Sequence, residues 1–161
     1  MKPTGYVARL RPMAAAIWLG MLVGVSFIAT PVKFQAADLD LPTALDVGRL
    51  TFGAFSRVEW FLAPCLIIAT FAGASRWRLI VAAIVAAGLL TQAFWLLPAL
   101  NARVAMIIAG ENPGASFHHM AYGGVELLKF FGLLALSLPA WAPQGQAASA
   151  PADRDWRTKA A

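Results

Sequence analysis

Charge and cysteine are both scarce in this chain of 161 residues. Only 13% of the residues are charged and 60% are hydrophobic, whereas about a quarter of a typical soluble domain is charged. A soluble fold of this size has too little interior to hide so many apolar side chains, so lipid must be the solvent for much of the chain. The net charge of +5 does not indicate nucleic-acid binding, because the basic residues lie at the ends of apolar runs and form no patch.

The single cysteine, Cys65, excludes an internal disulfide, and no CxxC or Cys/His spacing indicates a metal site. Cys65 lies within an apolar run, which favours a small core residue. The sequence also lacks a GxSxG motif, a P-loop and a paired-carboxylate constellation. We therefore predict no metal site, no cofactor and no enzymatic activity.

Four apolar stretches predict four membrane crossings, since a crossing helix needs about 20 mostly apolar residues. The predicted fold class is all-α, a four-transmembrane-helix bundle. Its long second helix is expected to kink near Pro64, whereas Pro31 and Pro98 are expected to end the first and third helices. The predicted segments are a basic N-terminus at 1–12, a transmembrane domain at 13–141 with helices at about 13–30, 42–73, 79–97 and 117–141, and a disordered tail at 142–161.

The distribution of basic residues orients the bundle. Eight basic residues fall on the side of the two termini and only four on the opposite side, so the positive-inside rule places both termini in the cytoplasm, and we expect a multi-pass protein of a bacterial inner membrane. The eight are Lys2, Arg9, Arg11, Arg76, Arg78, Arg154, Arg157 and Lys159. Five tryptophans near the predicted helix ends are interpreted as interfacial anchors: Trp18, Trp60, Trp77, Trp95 and Trp141.

Two ionisable residues fall inside the fourth predicted helix, where a charge costs at least about 2.5–3.5 kcal/mol. Glu126 and Lys129 are three residues apart, on one helix face, with the acid before the base, so they are able to pair. His118, His119 and Tyr122 extend the same face towards the outer end of the helix. This polar stripe has two interpretations, a structural ion pair or a binding or proton-handling site.

Polar residues on two other helices fall in the same outer half of the bilayer. Arg57 and Glu59 lie on the second helix, Gln92 lies on the third, and Asn101 follows it. We therefore predict a polar pocket between the helices that opens to the periplasmic side. The candidate ligand-binding or pocket residues are Arg57, Glu59, Gln92, Asn101, His118, His119, Tyr122, Glu126 and Lys129.

The two histidines argue against a haem or zinc site within one chain. A b-type haem held by two histidines needs ligands on facing helices, but His118 and His119 are adjacent and point about 100° apart. Zinc catalysis needs three ligands with defined spacing, which two histidines and a distant Glu126 match poorly. A haem bound between two chains is still open, because the second chain of a dimer supplies the second ligand in that arrangement.

Three segments carry a resemblance to a known family: WLGMLVGVSFIATPVKF, GRLTFGAFSRVEW and the histidines before the last helix. Together they resemble the DUF4149 or TMEM205-like family of small four-helix membrane proteins. The matching positions are Pro31 with Phe34, Gly48-Arg49 with Phe52, and His118 or His119. The resemblance implies the four-helix architecture. The family has no settled biochemical activity, and the link of its eukaryotic members to drug tolerance hints at transport or trafficking.

Three functions remain open from the sequence. The first is a non-enzymatic accessory or assembly subunit that packs in the bilayer as a homo-oligomer or against a membrane-protein partner, suggested by small-residue pairs such as Gly20/Gly24 and Gly123/Gly124. The second is a small-solute or proton-handling transporter or channel, suggested by the polar stripe. The third is a quinone- or cofactor-binding redox subunit. Membrane lipid is an expected partner of all three, and nucleic acid of none.

Overall fold

The computed structural model describes residues 4–71 and 75–138, with side chains described from residue 10 onwards. This part of the chain is all-helical, which confirms the predicted fold class. Four of its helices are long and apolar enough to cross a membrane: Leu10–Lys33, Leu41–Phe71, Arg76–Ile108 and His118–Ser137. We refer to them as the first to fourth helices. The predicted tail at 142–161 lies outside the described residues.

The first and third helices are composite, and neither ends at the proline where the sequence predicted a stop. The first helix passes from Thr4–Leu22 through a π-helical segment, Val23–Ala29, into Thr30–Lys33. The third passes from Arg76–Thr91 through π-helical Gln92–Leu96 into Leu97–Ile108. Each π segment lies just before a proline, Pro31 or Pro98. A wider turn there accommodates a ring that would clash with the carbonyl four residues earlier, so the helix continues.

The second and fourth helices are regular α-helices. The second, Leu41–Phe71, contains Pro64 without a π segment. The fourth, His118–Ser137, begins one residue after the predicted start, and the predicted end at residue 141 lies outside the described residues. The first helix packs against the second and fourth, and the third packs against the same two, so the four helices enclose one interior.

The interior of the bundle is mostly apolar at the end where the second helix stops and the third begins. Leu66, Leu89, Leu133 and Leu136 are at most 1% exposed there, and the polar residues buried at this end are Thr70 and Arg11. The outer surface is equally apolar, since Phe61, Phe94 and Met120 are each more than 70% exposed. Large exposed hydrophobic side chains on all sides are typical of a bundle surrounded by lipid. The chain is therefore a multi-pass membrane protein.

Two further interpretations from the sequence are wrong. Trp18 is no interfacial anchor, because it is completely buried and its indole nitrogen is hydrogen-bonded inside the bundle. Cys65 is exposed on the surface of the second helix and is no core residue. In both cases the run of apolar residues showed that the segment crosses the membrane but not which face turns inward. Trp141 lies outside the described residues.

The opposite end of the bundle carries two connections, 34–40 and 109–117, and we call it the loop end. Gly110 and Gly114 have positive φ values of 81° and 70° in the second connection, a conformation that favours glycine. Arg103 holds this connection to the third helix by donating hydrogen bonds to the carbonyl oxygens of Pro113 at 3.4 Å and Gly114 at 2.5 Å. The loop end is thus tied to the helices around the site described next.

Candidate functional site: a buried charge cluster and a basic pocket

Polar side chains from all four helices meet in one layer inside the bundle. We call this layer the charge cluster. Its central residue, Lys129, is the twelfth of the 20 residues of the fourth helix, about 17 Å from the helix start at 1.5 Å per residue. The members are Trp18 and Ser26 from the first helix, Glu59 from the second, Gln92 from the third, and Glu126 and Lys129 from the fourth.

Lys129 makes three polar contacts although its side chain is 0% exposed. Its Nζ atom lies 2.6 Å from Glu59 Oε1, 2.8 Å from Glu126 Oε1 and 2.5 Å from the side-chain oxygen of Gln92. An ammonium group has three N–H donors and no acceptor, so this coordination uses its full capacity. The cation is therefore satisfied entirely by protein groups from three helices.

Each carboxylate of the cluster accepts a further hydrogen bond from a neutral donor. Trp18 Nε1 donates to Glu59 Oε1 at 2.9 Å, and Gln92 Nε2 donates to Glu126 Oε1 at 2.8 Å. The hydroxyl of Ser26 donates to the other oxygen, Glu126 Oε2, at 2.7 Å. Buried charges are stable only when paired and hydrogen-bonded in this way.

The two π-helical segments position both neutral partners of Glu126. Ser26 lies within Val23–Ala29, and Gln92 is the first residue of Gln92–Leu96. A π-helical turn contains an extra residue and rotates the side chains that follow, so π-helical turns occur frequently at functional sites. Gly88 lets the third and fourth helices approach here, because a Cβ at this position would lie 3.2 Å from Lys129 Cγ.

The cluster contains more acidic than basic groups. Two carboxyl groups, Glu59 and Glu126, share the single ammonium of Lys129, which gives a formal charge of −1 if all three are ionised. Both carboxyl groups are at most 2% exposed, where an uncompensated charge costs several kcal/mol. The arrangement therefore favours one further positive charge, and a proton on a carboxyl group fits without additional space.

A pocket of about 110 Å³ lies between the cluster and the loop end. Its apolar walls include Phe34, Leu45, Phe52, Leu97, Leu100 and Val104. Its polar lining contains two basic residues and no acidic one: Thr30, Lys33, Arg49, Asn101, His119 and Tyr122. We call it the loop-end pocket, and its charge is opposite to that of the cluster.

Two residues connect the pocket to the cluster. Tyr122 lines the pocket, is 5% exposed, and accepts a 3.5 Å hydrogen bond from Gln92 Nε2 at its backbone oxygen. Ser26, which contacts Glu126, lies four residues before Thr30 in the first helix, and Thr30 lines the pocket. The hydroxyl groups of Ser26 and Thr30 therefore lie about one turn apart between the buried carboxyl group and the pocket, and that of Thr30 donates to the backbone oxygen of Val25 at 2.8 Å.

The structure divides the residues predicted from the sequence into separate groups. Glu59, Gln92, Glu126 and Lys129 meet in the cluster, whereas Asn101, His119 and Tyr122 line the pocket. His118 belongs to neither group, because it pairs with Ser116 Oγ at 2.6 Å and stacks on Phe117. Arg57 is exposed on the surface of the second helix. Among the described residues, no three His, Cys, Asp or Glu side chains lie close enough to form a metal site.

Sequence reasoning missed Trp18, Ser26, Lys33 and Arg49. Ser26 carried a usable signal, because it is the only hydroxyl residue between Met13 and Ala29. Trp18 precedes Ser26 by eight residues, which places the two side chains about 80° apart around a regular helix, within one broad helix face. Lys33 and Arg49 are two of the four basic residues counted on the side opposite to the termini, and Arg49 was otherwise named only as a position that matches the family.

The comparison with known proteins gives the family. A family model described as a domain of unknown function, DUF4149, matches residues 13–107. The chain belongs to the DUF4149 family. The match includes the cluster residues Trp18, Ser26, Glu59 and Gln92, whereas Glu126 and Lys129 lie beyond it. No curated protein and no solved structure matches this DUF4149 protein significantly.

Proposed function

We propose that this DUF4149 protein is a small proton-handling transporter, with the charge cluster as its proton-binding site and the loop-end pocket as the entrance to that site. One observation carries the proposal: two buried carboxyl groups share one ammonium at 2.6 and 2.8 Å. Such a site favours an extra proton, and its members come from all four helices, so a small shift between helices changes how strongly the proton is held.

The route of the proton follows from the contacts of Glu126. Its Oε2 atom accepts the Ser26 hydroxyl at 2.7 Å, and Thr30 lies one turn further towards the pocket. In the opposite direction the hydrogen-bond network ends at Glu59 and Lys129. The buried side chains beyond it are mostly apolar, such as Leu66, Leu89 and Leu133, and the hydroxyl of the buried Thr70 donates to the backbone oxygen of Leu66. The described contacts thus lead from the cluster to the loop end, and the proposed transporter is in a state that is open to that end. With both termini in the cytoplasm of a bacterial cell, the loop end faces the periplasm.

The test is proton flux through the purified protein in vesicles that contain a pH-sensitive dye and carry a potassium-diffusion potential. We expect wild-type vesicles to acidify faster than protein-free vesicles, Glu126→Gln to abolish this difference, and Ser26→Ala to slow it. Glu111→Gln, which changes an exposed carboxyl group in the 109–117 connection, is the matched control and is expected to leave the flux unchanged. Equal rates for wild type and Glu126→Gln would refute the proposal.

A second candidate function, an accessory or assembly subunit, is supported by Arg57. This residue is exposed on the second helix two positions from the buried Glu59, and no described residue offers it a hydrogen bond or ion pair. Arg57 lies eight residues, about 12 Å, beyond the exposed Arg49 along the helix, which is further than its side chain extends. An acidic group on another membrane helix would stabilise it.

Native mass spectrometry on protein extracted gently from its own membrane tests this second candidate. We expect a second polypeptide at fixed stoichiometry that is lost in Arg57→Leu and retained in Arg49→Leu, since Arg49 already pairs with Asp46 at 2.5 Å. A protein that is free of any partner in both the wild type and the variants would refute it.

A further inference from the structure

The loop-end pocket has the lining of a ligand site, with an apolar wall and a few polar groups. Phe52, Leu97, Leu100 and Val104 supply much of the apolar wall, and the cavity measures about 110 Å³. An apolar cavity of about 150 Å³ is known to hold benzene. The pocket is open on one side, so a group of the size of an aromatic ring fits with part of it outside.

The charge of the lining indicates that the ligand is negatively charged. Lys33 and Arg49 both line the pocket, and no acidic residue does. Arg49 already donates from Nε and Nη2 to Asp46 Oδ1, at 2.9 and 2.5 Å. Lys33, in contrast, has no hydrogen-bond or ion-pair partner among the described residues, and its ammonium lies 4.9 Å from the centre of the Phe34 ring. A free ammonium beside an apolar wall is a position for an anion.

Gly48 makes room for this ammonium. A Cβ built on Gly48 would overlap Lys33 Nζ, so any larger residue would displace the lysine from the pocket wall. Gly53, five residues further along the same helix, has no atom within 4 Å of its Cβ position. Gly48 thus leaves the space that the ammonium occupies, whereas Gly53 has no neighbour of this kind.

Neutral polar groups complete the lining. Asn101 and His119 belong to the third and fourth helices, whereas Lys33 belongs to the first. A carboxylate has two oxygen atoms and about four acceptor sites, so an amide and an imidazole are suitable additional donors. Groups from different helices enclose the pocket, and a bound anion would therefore connect three of them.

We propose that the loop-end pocket binds a small amphipathic anion, a carboxylate on an apolar body of about the size of one aromatic ring. The binding site rests on the pocket residues alone. The role of the anion as a transported solute, exchanged together with the proton of the charge cluster, rests on the proposed function.

Binding of 4-fluorobenzoate to the full-length protein in nanodiscs of zwitterionic phosphatidylcholine, followed by fluorine NMR, tests the proposal. The neutral analogue 4-fluorobenzamide has the same ring and serves as the comparison. We expect saturable binding of the benzoate, weakened about tenfold or more by Lys33→Gln, because a hydrogen bond between charged partners is lost. Binding of the benzamide is expected to change little in the same variant.

A pair of glycine variants gives a control that keeps every charge. Gly48→Ala is expected to displace the Lys33 ammonium and weaken benzoate binding, whereas Gly53→Ala is expected to leave it unchanged. The absence of saturable benzoate binding to the wild type would overturn the proposal. So would equal benzoate affinity of Lys33→Gln and wild type.

Two further measurements are needed. One distinguishes a lipid headgroup from a soluble carboxylate as the anion, and the other separates the anion site from the proposed proton transport. If adding phosphatidylglycerol to the nanodiscs displaces the benzoate, the anion site is supported and its occupant is a lipid headgroup; if it does not, a soluble carboxylate is supported. Glu126→Gln is expected to retain benzoate binding while it loses proton flux. Loss of benzoate binding in Lys33→Gln supports the pocket site, whatever its proton flux, while loss of flux in Glu126→Gln with benzoate binding retained concerns the proposed function only.

Discussion

The charge cluster and the loop-end pocket are neighbours with opposite properties. The cluster contains two acidic residues and one basic residue. Each of the three is at most 2% exposed, and each has a protein partner for its charge. The pocket has two basic residues and no acid, is open, and includes an ammonium without a described partner. The same apolar bundle therefore holds one polar region in which every ionisable group has a protein partner and one in which an ammonium has no described partner.

This difference indicates how the two regions contribute to stability and to binding. A network in which every group is paired is strongly destabilised by the loss of any one member, because a buried partner is then left unpaired. An incomplete region tolerates substitution and changes mainly what it binds. The predictions below test this division, which assigns folding and proton exchange to the cluster and ligand recognition to the pocket.

The largest effect is expected from Lys129→Leu. Without the ammonium, Glu59 and Glu126 face each other with no cation, and breaking a buried ion pair in this way costs about 3–5 kcal/mol. We expect a large loss of folded protein in the membrane and a lower free energy of unfolding in denaturant titrations. Addition of Glu59→Gln and Glu126→Gln to the same chain is expected to restore much of the loss, because no unpaired charge remains.

Arg49→Leu is the control for removal of a base. Arg49 and Asp46 form an exposed pair, with side chains 40% and 38% exposed, and exposed pairs contribute about 0–1 kcal/mol. If Lys129→Leu were as mild as Arg49→Leu, water would be reaching the cluster, and the contrast with the pocket would be wrong.

The architecture of this chain was predictable from its sequence, because apolar runs of sufficient length between polar segments define crossings by themselves. The interior position of Glu59, Gln92, Glu126 and Lys129 was also predictable, since polar residues inside apolar runs are conspicuous. Trp18 was misinterpreted, because indole is equally typical of interfaces and of buried hydrogen-bonded sites. Hydropathy alone does not distinguish these two environments.

The division of the polar stripe into two regions was not predictable. His118, Tyr122 and Glu126 have helical spacing, yet the structure assigns them to a loop contact, the pocket wall and the cluster, respectively. Which residues meet depends on how the helices rotate against each other. The π segments before Pro31 and Pro98 change that rotation, and the sequence pattern gave only the position of the prolines.

An intermediate effect is expected from Pro98→Ala. Without the ring, the segment Gln92–Leu96 is able to return to α-helical geometry, which turns one part of the helix by about 100° against the other. Gln92 then leaves Glu126, and we expect a cost of about 1–2 kcal/mol, similar to that of Gln92→Leu. The double variant is expected to cost no more than the larger single change, because both remove the same contact.

Pro64→Ala provides the matched control for the proline variant. Pro64 lies in a regular α-helix without a π segment, so its replacement is expected to add independently to Gln92→Leu. If the free-energy changes of Pro98→Ala and Pro64→Ala both added fully to that of Gln92→Leu, the π segment would not position Gln92. The measurement in each case is the free energy of unfolding of the two single variants and the double variant.

The smallest effect is expected from Gly88→Ala. The added Cβ would lie 3.2 Å from both Lys129 Cγ and Val125 Cγ1, so the lysine stem has to move by a few tenths of an ångström. We expect a change in stability of about 1 kcal/mol or less, because the higher helix propensity of alanine offsets part of the strain. Gly20→Ala, with no atom within 4 Å of its Cβ position, controls for the propensity. The decisive readout is functional: Gly88→Ala should alter proton flux and leave benzoate affinity unchanged, whereas Gly48→Ala should weaken benzoate binding. Weaker benzoate binding in Gly88→Ala would mean that cluster and pocket act as one site.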